Sequence, residues 1–250
     1  MTDDLADFLM TRPPTAARPL LGLTVLVVED SRFACEALRL LCLRSGARIR
    51  RADCLRSARR HLQVYRPTVA IVDLGLPDGS GSDLIRELAQ ARPRVPVLLG
   101  TSGYLENEAV SLAAGAEGFL AKPIESLALF QEAILRHLPD EARPAGPRIL
   151  PDERISPDPI ALRDDLMMAA SLLSGHTESG LQPGANGPDD AALDYITGFL
   201  SGIARSAHDA SLEAAAQALA KDRASGARGH HTLSLVTGLV QDRLRSGAAF

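Results

Sequence analysis

Five polar side chains in the first half of the chain stand directly after short apolar runs. Glu29 and Asp30 follow Thr24–Val28, Asp73 closes Val69–Asp73, Thr101 follows Pro96–Gly100, and Lys122 follows Gly118–Leu120. Three carboxylates gathered in one crevice repel one another unless a cation neutralises them. With oxygen ligands only, and no His or Cys among them, a hard cation such as Mg²⁺ is the natural choice. Lys122 adds an ammonium and Thr101 a hydroxyl donor, while the turn at Leu74–Gly75 offers backbone N–H groups and a carbonyl. Such a set suits a tetrahedral dianion bonded to one carboxylate, its charge met by metal, ammonium and hydroxyl. Each residue also has a plainer reading. Asp73 can cap the Gly- and Pro-rich turn after it, Glu29–Asp30 can favour a helix N-terminus, and Lys122 can form a buried ion pair with Asp73. A fold that brings all five together decides against the plain readings.

The elements that must position these residues alternate strictly. Thr24–Val28 is a β-branched run of the kind found in buried parallel strands, and Ser31 caps a helix carrying Phe33, Ala34, Ala37, Leu38, Leu41 and Cys42. The pattern then predicts strands at Ala47–Arg51, Val69–Asp73, Pro96–Gly100 and Gly118–Leu120. It predicts helices at Leu55–Tyr65, Ser82–Ala91, Leu105–Ala114 and Ile124–Leu138. Five strand–helix units within about 120 residues require parallel pairing with helices on both faces. The fold class is therefore α/β, a doubly wound five-stranded parallel sheet, followed by a smaller all-α bundle. Ligands of such sheets bind outside the carboxyl ends of the strands, where all five polar residues stand.

In this order and spacing, the acidic pair after strand one, the acid four residues before Pro77, the Thr after strand four and Lys122–Pro123 after strand five resemble the receiver domain of two-component response regulators. The resemblance covers Leu23–Leu138. It implies a flavodoxin-like receiver in which Asp73 accepts a phosphoryl group from a histidine kinase or phosphotransfer protein. It further implies that Asp30 binds Mg²⁺ directly, Glu29 through water and Gly75 through its carbonyl, with Asp73 completing the set. Thr101 and Lys122 would contact the phosphoryl group, and Phe119 would occupy an aromatic switch position that follows Thr101 inward. Phe119 stands where Tyr is more frequent. Gly100 stands where a bulky aliphatic residue is usual, which predicts a looser end to strand four. Ser102 replaces a common Ala.

The chain divides into a leader (1–20, with Leu5, Phe8 and Leu9 on a short amphipathic piece), a receiver (21–138), a linker (139–159) and a helical effector or interaction domain (160–250). The linker holds six prolines and reads as semi-rigid. Helices are predicted at Ile160–Leu173, Asp189–Ala207, Ser211–Ala224 and Thr232–Arg245, with a Gly-rich loop at Ser174–Gly187. Their short amphipathic faces suggest a bundle. Residues 145–250 hold 9 Lys and Arg against 13 Asp and Glu, so this half carries the whole net charge of −4. That balance disfavours DNA as a partner. It leaves an output partner protein or a homodimer through the Ala-rich faces as the first expectation, with a divergent DNA-binding bundle or a phosphorelay step at His208 as alternatives. Adjacent His230 and His231, lacking acids or Cys nearby, make a poor metal site. Seven arginines (Arg48, Arg50, Arg51, Arg56, Arg59, Arg60, Arg66) lie within nineteen residues; they read as a solvated edge, or else as a docking surface for an acidic partner such as the chain's own C-terminal half. Cys35, Cys42 and Cys54 lack zinc spacing and read as reduced thiols. No long apolar run points to a membrane, and the acidic N-terminus is unlike a secretory signal, so a cytoplasmic, non-enzymatic signalling protein is expected, at most catalysing its own phosphorylation and dephosphorylation.

Overall fold

A computed structural model of the 250-residue chain describes residues 13–146, 148–178, 188–225 and 229–246. Strands β1 (Thr24–Val28), β2 (Arg48–Ala52), β3 (Val69–Asp73), β6 (Val97–Ser102) and β7 (Gly118–Ala121) form one parallel sheet in the order β2-β1-β3-β6-β7. Helices α1 (Arg32–Ser45), α2 (Leu55–Val64), α3 (Gly81–Gln90), α4 (Asn107–Ala114) and α5 (Leu127–Leu135) connect them. Both faces of the sheet are buried because successive strand residues point to opposite sides. Val25, Val27, Val69, Ile71, Val97 and Leu99 pack with Leu38, Leu41, Phe130 and Ile134. Leu26, Val28, Ala70, Val72 and Leu98 pack with Leu84, Ile85 and Leu88 on the other side. The chain order jumps from β1 to β3 and β6, and this switch opens a crevice at the strands' carboxyl ends.

Several boundaries differ from the sequence pattern for physical reasons. Strand β6 runs on through Thr101 and Ser102, paired to Leu120 and Ala121 of β7. Helix α5 starts only at Leu127, where the Ser126 hydroxyl accepts the Leu129 N–H; the predicted first turn from Ile124 is instead extended. That extended segment is held by the Pro-rich stretch: Ile155 N–H donates to the Glu125 carbonyl, and Leu127 N–H to that of Glu153. Ile155 is buried in the receiver core, and a short 3₁₀ turn covers Asp140–Ala142. The described residues among 139–158 thus form a strap folded onto the receiver rather than a free semi-rigid spacer. The end of the leader is likewise tied down, with Leu20 fully buried and its N–H on the Ser45 carbonyl; Leu5, Phe8 and Leu9 lie outside the described residues. A hairpin that the pattern missed, β4 (Gly75–Leu76) with β5 (Gly79–Ser80), follows Asp73. In its turn, the Asp78 carboxylate accepts the N–H groups of Leu55 and Arg56 at the start of α2.

Helices α6 (Pro159–Glu178), α7 (Pro188–Ser206), α8 (Ala210–Ala224) and α9 (His230–Arg245) pack around Leu162, Leu166, Leu173, Leu193, Ile196, Leu200, Ile203, Leu212, Val236 and Val240. Most of the expected Ser174–Gly187 loop lies outside the described residues. One side chain of this core comes from the receiver: Phe33 of α1 is buried among the helices. The helical half therefore sits on α1, and among the described residues no ion pair joins the arginine run of β2 and α2 to it. The run instead stays at the surface, where Arg59 pairs with Glu87 at 2.6 Å. Among the described residues no helix is long and apolar enough to cross a membrane.

Candidate functional site at the carboxyl ends of the strands

The crevice brings four of the five polar residues together. Lys122, buried, places its Nζ 2.7 Å from Glu29 Oε2 and 3.0 Å from Asp73 Oδ2. Asp30 completes a carboxylate triad whose ligand atoms lie within 4.8 Å of one another. Thr101 is adjacent to Asp73 in register, but its hydroxyl donates to the Leu120 carbonyl at 2.7 Å and so faces β7 rather than the acids. Gly75 lines the crevice from the hairpin. Phe119, beside Gly100 in register, is half-buried at the edge of the core on the α3 side of the sheet. His208 is elsewhere, exposed in the turn between α7 and α8 with its Nε2 2.5 Å from Glu125 Oε1.

Glycine allows two close approaches here. A Cβ on Gly81 would lie 1.9 Å from the Asp73 carbonyl oxygen, so only glycine lets α3 start against the site strand. A Cβ on Gly100 would lie 2.0 Å from Ser111 Oγ. The glycine in β6 thus does not loosen the strand: Ser111 of α4 fills the space that a larger residue would occupy, and Gly100 is itself fully inside the sheet.

Electrostatics follow from burial. Burial and the nearby Asp73 carboxylate push the Glu29 carboxyl well above its usual range, against the pull of Lys122. Burial and Asp73 likewise raise Asp30 to about 6, although the Tyr195 hydroxyl partly offsets this. Burial opposes the charge of Lys122, but Asp73 and Glu29 outweigh it and hold the ammonium above its ordinary value. One ammonium thus serves both Glu29 and Asp73, while Asp30 beside them has no cation of its own. A hard divalent cation fits this donor set, which is all oxygen and short of positive charge. Cys35 and Cys42 are buried, with thiols pushed up to about 12, and have no part in it.

The side of the crevice facing outward is covered by α7. Asp194, Tyr195, Gly198, Phe199, Gly202 and Ile203, one face of that helix, line it opposite Asp73. The Tyr195 hydroxyl donates to Asp30 Oδ2 at 2.6 Å, and burial with Asp30 beside it keeps the phenol protonated far above its usual range. Asp165 of α6, buried, accepts from the first residues of α1: Arg32 N–H at 2.9 Å, Phe33 N–H at 3.0 Å and the Ser31 hydroxyl at 2.8 Å. The Arg205 guanidinium lies 5.5 Å from the Tyr104 ring centre. Sequence reasoning missed Tyr195 and Asp165. The signal for the first was the Tyr195, Gly198, Phe199, Gly202 series, a second helical face beside the apolar stripe.

Residues 25–134 match the response regulator receiver domain family. That stretch is a receiver domain. Among curated proteins, the chain is 36% identical over 116 residues to the virulence transcriptional regulatory protein PhoP of Salmonella typhimurium, covering 45% of this chain and 51% of that one. It is 33% identical over 116 residues to the KDP operon transcriptional regulatory protein KdpE of Escherichia coli, covering 45% and 52%. The chain thus spans about half the length of the curated relatives it matches. A crystal structure of a putative response regulator from Chloroflexus aurantiacus aligns at 26% identity and a TM-score of 0.41, covering 46% of this chain and 92% of that one. The expectation against DNA is not borne out by these names, which are those of transcriptional regulators. The matched stretch is thus a receiver, a signalling module.

Proposed function

We propose that Asp73 is the phosphoacceptor of a two-component phosphorelay, charged by a histidine kinase or phosphotransfer protein. The observation that carries this reading is the convergence of Lys122 on both Glu29 and Asp73, with Asp30 alongside, at the mouth of the sheet. An Asp73 carboxylate oxygen attacks the phosphorus of a phosphohistidine; the new O–P bond forms as the P–N bond breaks, and the electron pair returns to the imidazole. Lys122 stays an ammonium throughout and meets the charge on the transferred group. Glu29, Asp30, Asp73 and the Gly75 carbonyl would hold Mg²⁺, which when bound neutralises the acids and the phosphoryl oxygens. Thr101 reaches the phosphoryl group by turning its hydroxyl away from the Leu120 carbonyl, and the vacated space lets Phe119 move inward. The responding output is the helical half, which acts on a partner protein or a second copy of the chain. The names of the curated relatives favour a second reading, transcriptional control through DNA. DNA binding that weakens steeply with salt would select it.

The test uses the full chain with Mg²⁺ and a small phosphodonor such as acetyl phosphate. One acid-stable, base-labile phosphate is expected on the wild type and none on Asp73→Asn. Equal incorporation in that variant refutes the assignment.

A further inference from the structure

We propose that the helical half is a lid on the receiver's crevice, latched by Tyr195 on Asp30, and that Tyr195 lets go when Asp30 turns to a divalent cation. The proposal rests on the reading of Asp30 as a cation ligand, but the contacts that define the lid do not depend on it.

Three observations carry it. The phenol of Tyr195 reaches across from α7 to donate to Asp30 at 2.6 Å, so a side chain of the helical half is bonded directly to one of the acids of the site. The three residues that follow Asp30 are held by the same half: Ser31 and the N–H groups of Arg32 and Phe33 all bond to Asp165, and the Phe33 ring is buried in the helical core. Any reorientation of the Asp30 carboxylate is therefore transmitted to α6 and α7 through both latches. Finally, α7 runs within van der Waals contact of the receiver, where a Cβ built on Gly103 would lie 3.6 Å from the Cα of Gly202.

Between roof and floor lies a cavity of about 210 Å³. That space is large enough for a hydrated cation or a small phosphodonor. It does not admit a folded protein, so a macromolecular donor reaches Asp73 only with the lid raised. A hydroxyl bonded to a carboxylate draws its strength from the full negative charge of that carboxylate. A cation on Asp30 would draw on the same negative charge that holds Tyr195 and so weaken the latch. Loading the site and holding the lid are thus opposed.

The experiment follows amide hydrogen exchange across Leu193–Ile203 in the full chain, with and without MgCl₂, and Mg²⁺ affinity by calorimetry. In the wild type, Mg²⁺ is expected to speed exchange of this segment roughly tenfold, the population shift that losing one charge-assisted hydrogen bond produces. Tyr195→Phe keeps the ring and removes only the latch. It should exchange at the raised rate without Mg²⁺ and bind Mg²⁺ several-fold more tightly. Protection of Leu193–Ile203 that is unmoved by Mg²⁺ and by Tyr195→Phe overturns the lid. None of these readouts needs phosphoryl transfer. Unphosphorylated Asp73 with normal latch behaviour would sink the proposed function alone, and normal phosphorylation with unchanged exchange would sink the lid alone.

Discussion

Asp165→Ala is the most direct probe of how the two halves are joined. The carboxylate accepts three hydrogen bonds of 2.8–3.0 Å at the N-terminus of α1, and its truncation leaves two backbone N–H groups and the Ser31 hydroxyl without this acceptor. Bonds to a charged acceptor contribute about 1.5–3 kcal/mol each. Part of that sum offsets the burial of the charge, which is strong enough to hold the Asp165 carboxyl above its ordinary range despite the three donors. Ser31 also keeps its own capping bond to the Ala34 N–H. A net loss of about 2–4 kcal/mol is expected, or about 5–12 °C in Tm for a chain of this size. Thermal and urea unfolding followed by far-UV circular dichroism measure it. Asp165→Asn, which retains one acceptor oxygen, should lose about half as much. The sign of the pH dependence is fixed: a carboxyl raised in the folded state binds its proton more readily there, so its stabilisation is fullest at low pH and declines as pH rises through the folded value. The deficit of Asp165→Asn should therefore shrink as pH rises from about 4 to 7. A loss under about 0.5 kcal/mol for Asp165→Ala, or a deficit of Asp165→Asn that grows with pH, would refute the reasoning.

Lys122→Ala removes the one ammonium shared by Glu29 and Asp73 and should destabilise the metal-free chain by about 3–5 kcal/mol at pH 7, read from urea midpoints. The loss should shrink as pH falls, because burial already raises the Glu29 carboxyl and, without Lys122, it takes up a proton more readily still. Gly100→Ala forces a methyl group onto Ser111 and should cost about 1–3 kcal/mol in thermal unfolding, partly restored by adding Ser111→Gly.

The receiver was legible because its apolar runs are continuous and its polar residues stand at their ends, where the topology of a parallel sheet leaves no choice of side. Glu29, Asp30, Asp73 and Lys122 meet as that logic requires. The roof was not legible. Tyr195 and Phe199 lie beside the stripe of Leu193, Ile196, Leu200 and Ile203, and a stripe with a broad edge reads as one face. Asp165 carries no local mark, since no sequence pattern reveals that a distant helix presents its N-terminus to it. The strap was misread because proline content reports stiffness, not whether another segment offers carbonyls such as that of Glu125. Strands of two residues, as in the hairpin after Asp73, are too short to show any period.

The docked strap also fixes how far the helical half can travel. With Ile155 buried in the receiver and α6 beginning at Pro159, only residues 156–158 are free between the two anchors. Three extended residues reach about 10 Å. A lid on so short a leash tilts rather than departs, and it remains at an effective concentration on the order of millimolar over the crevice it has left. Whatever binds there must outcompete a cover that is never more than a helix diameter away.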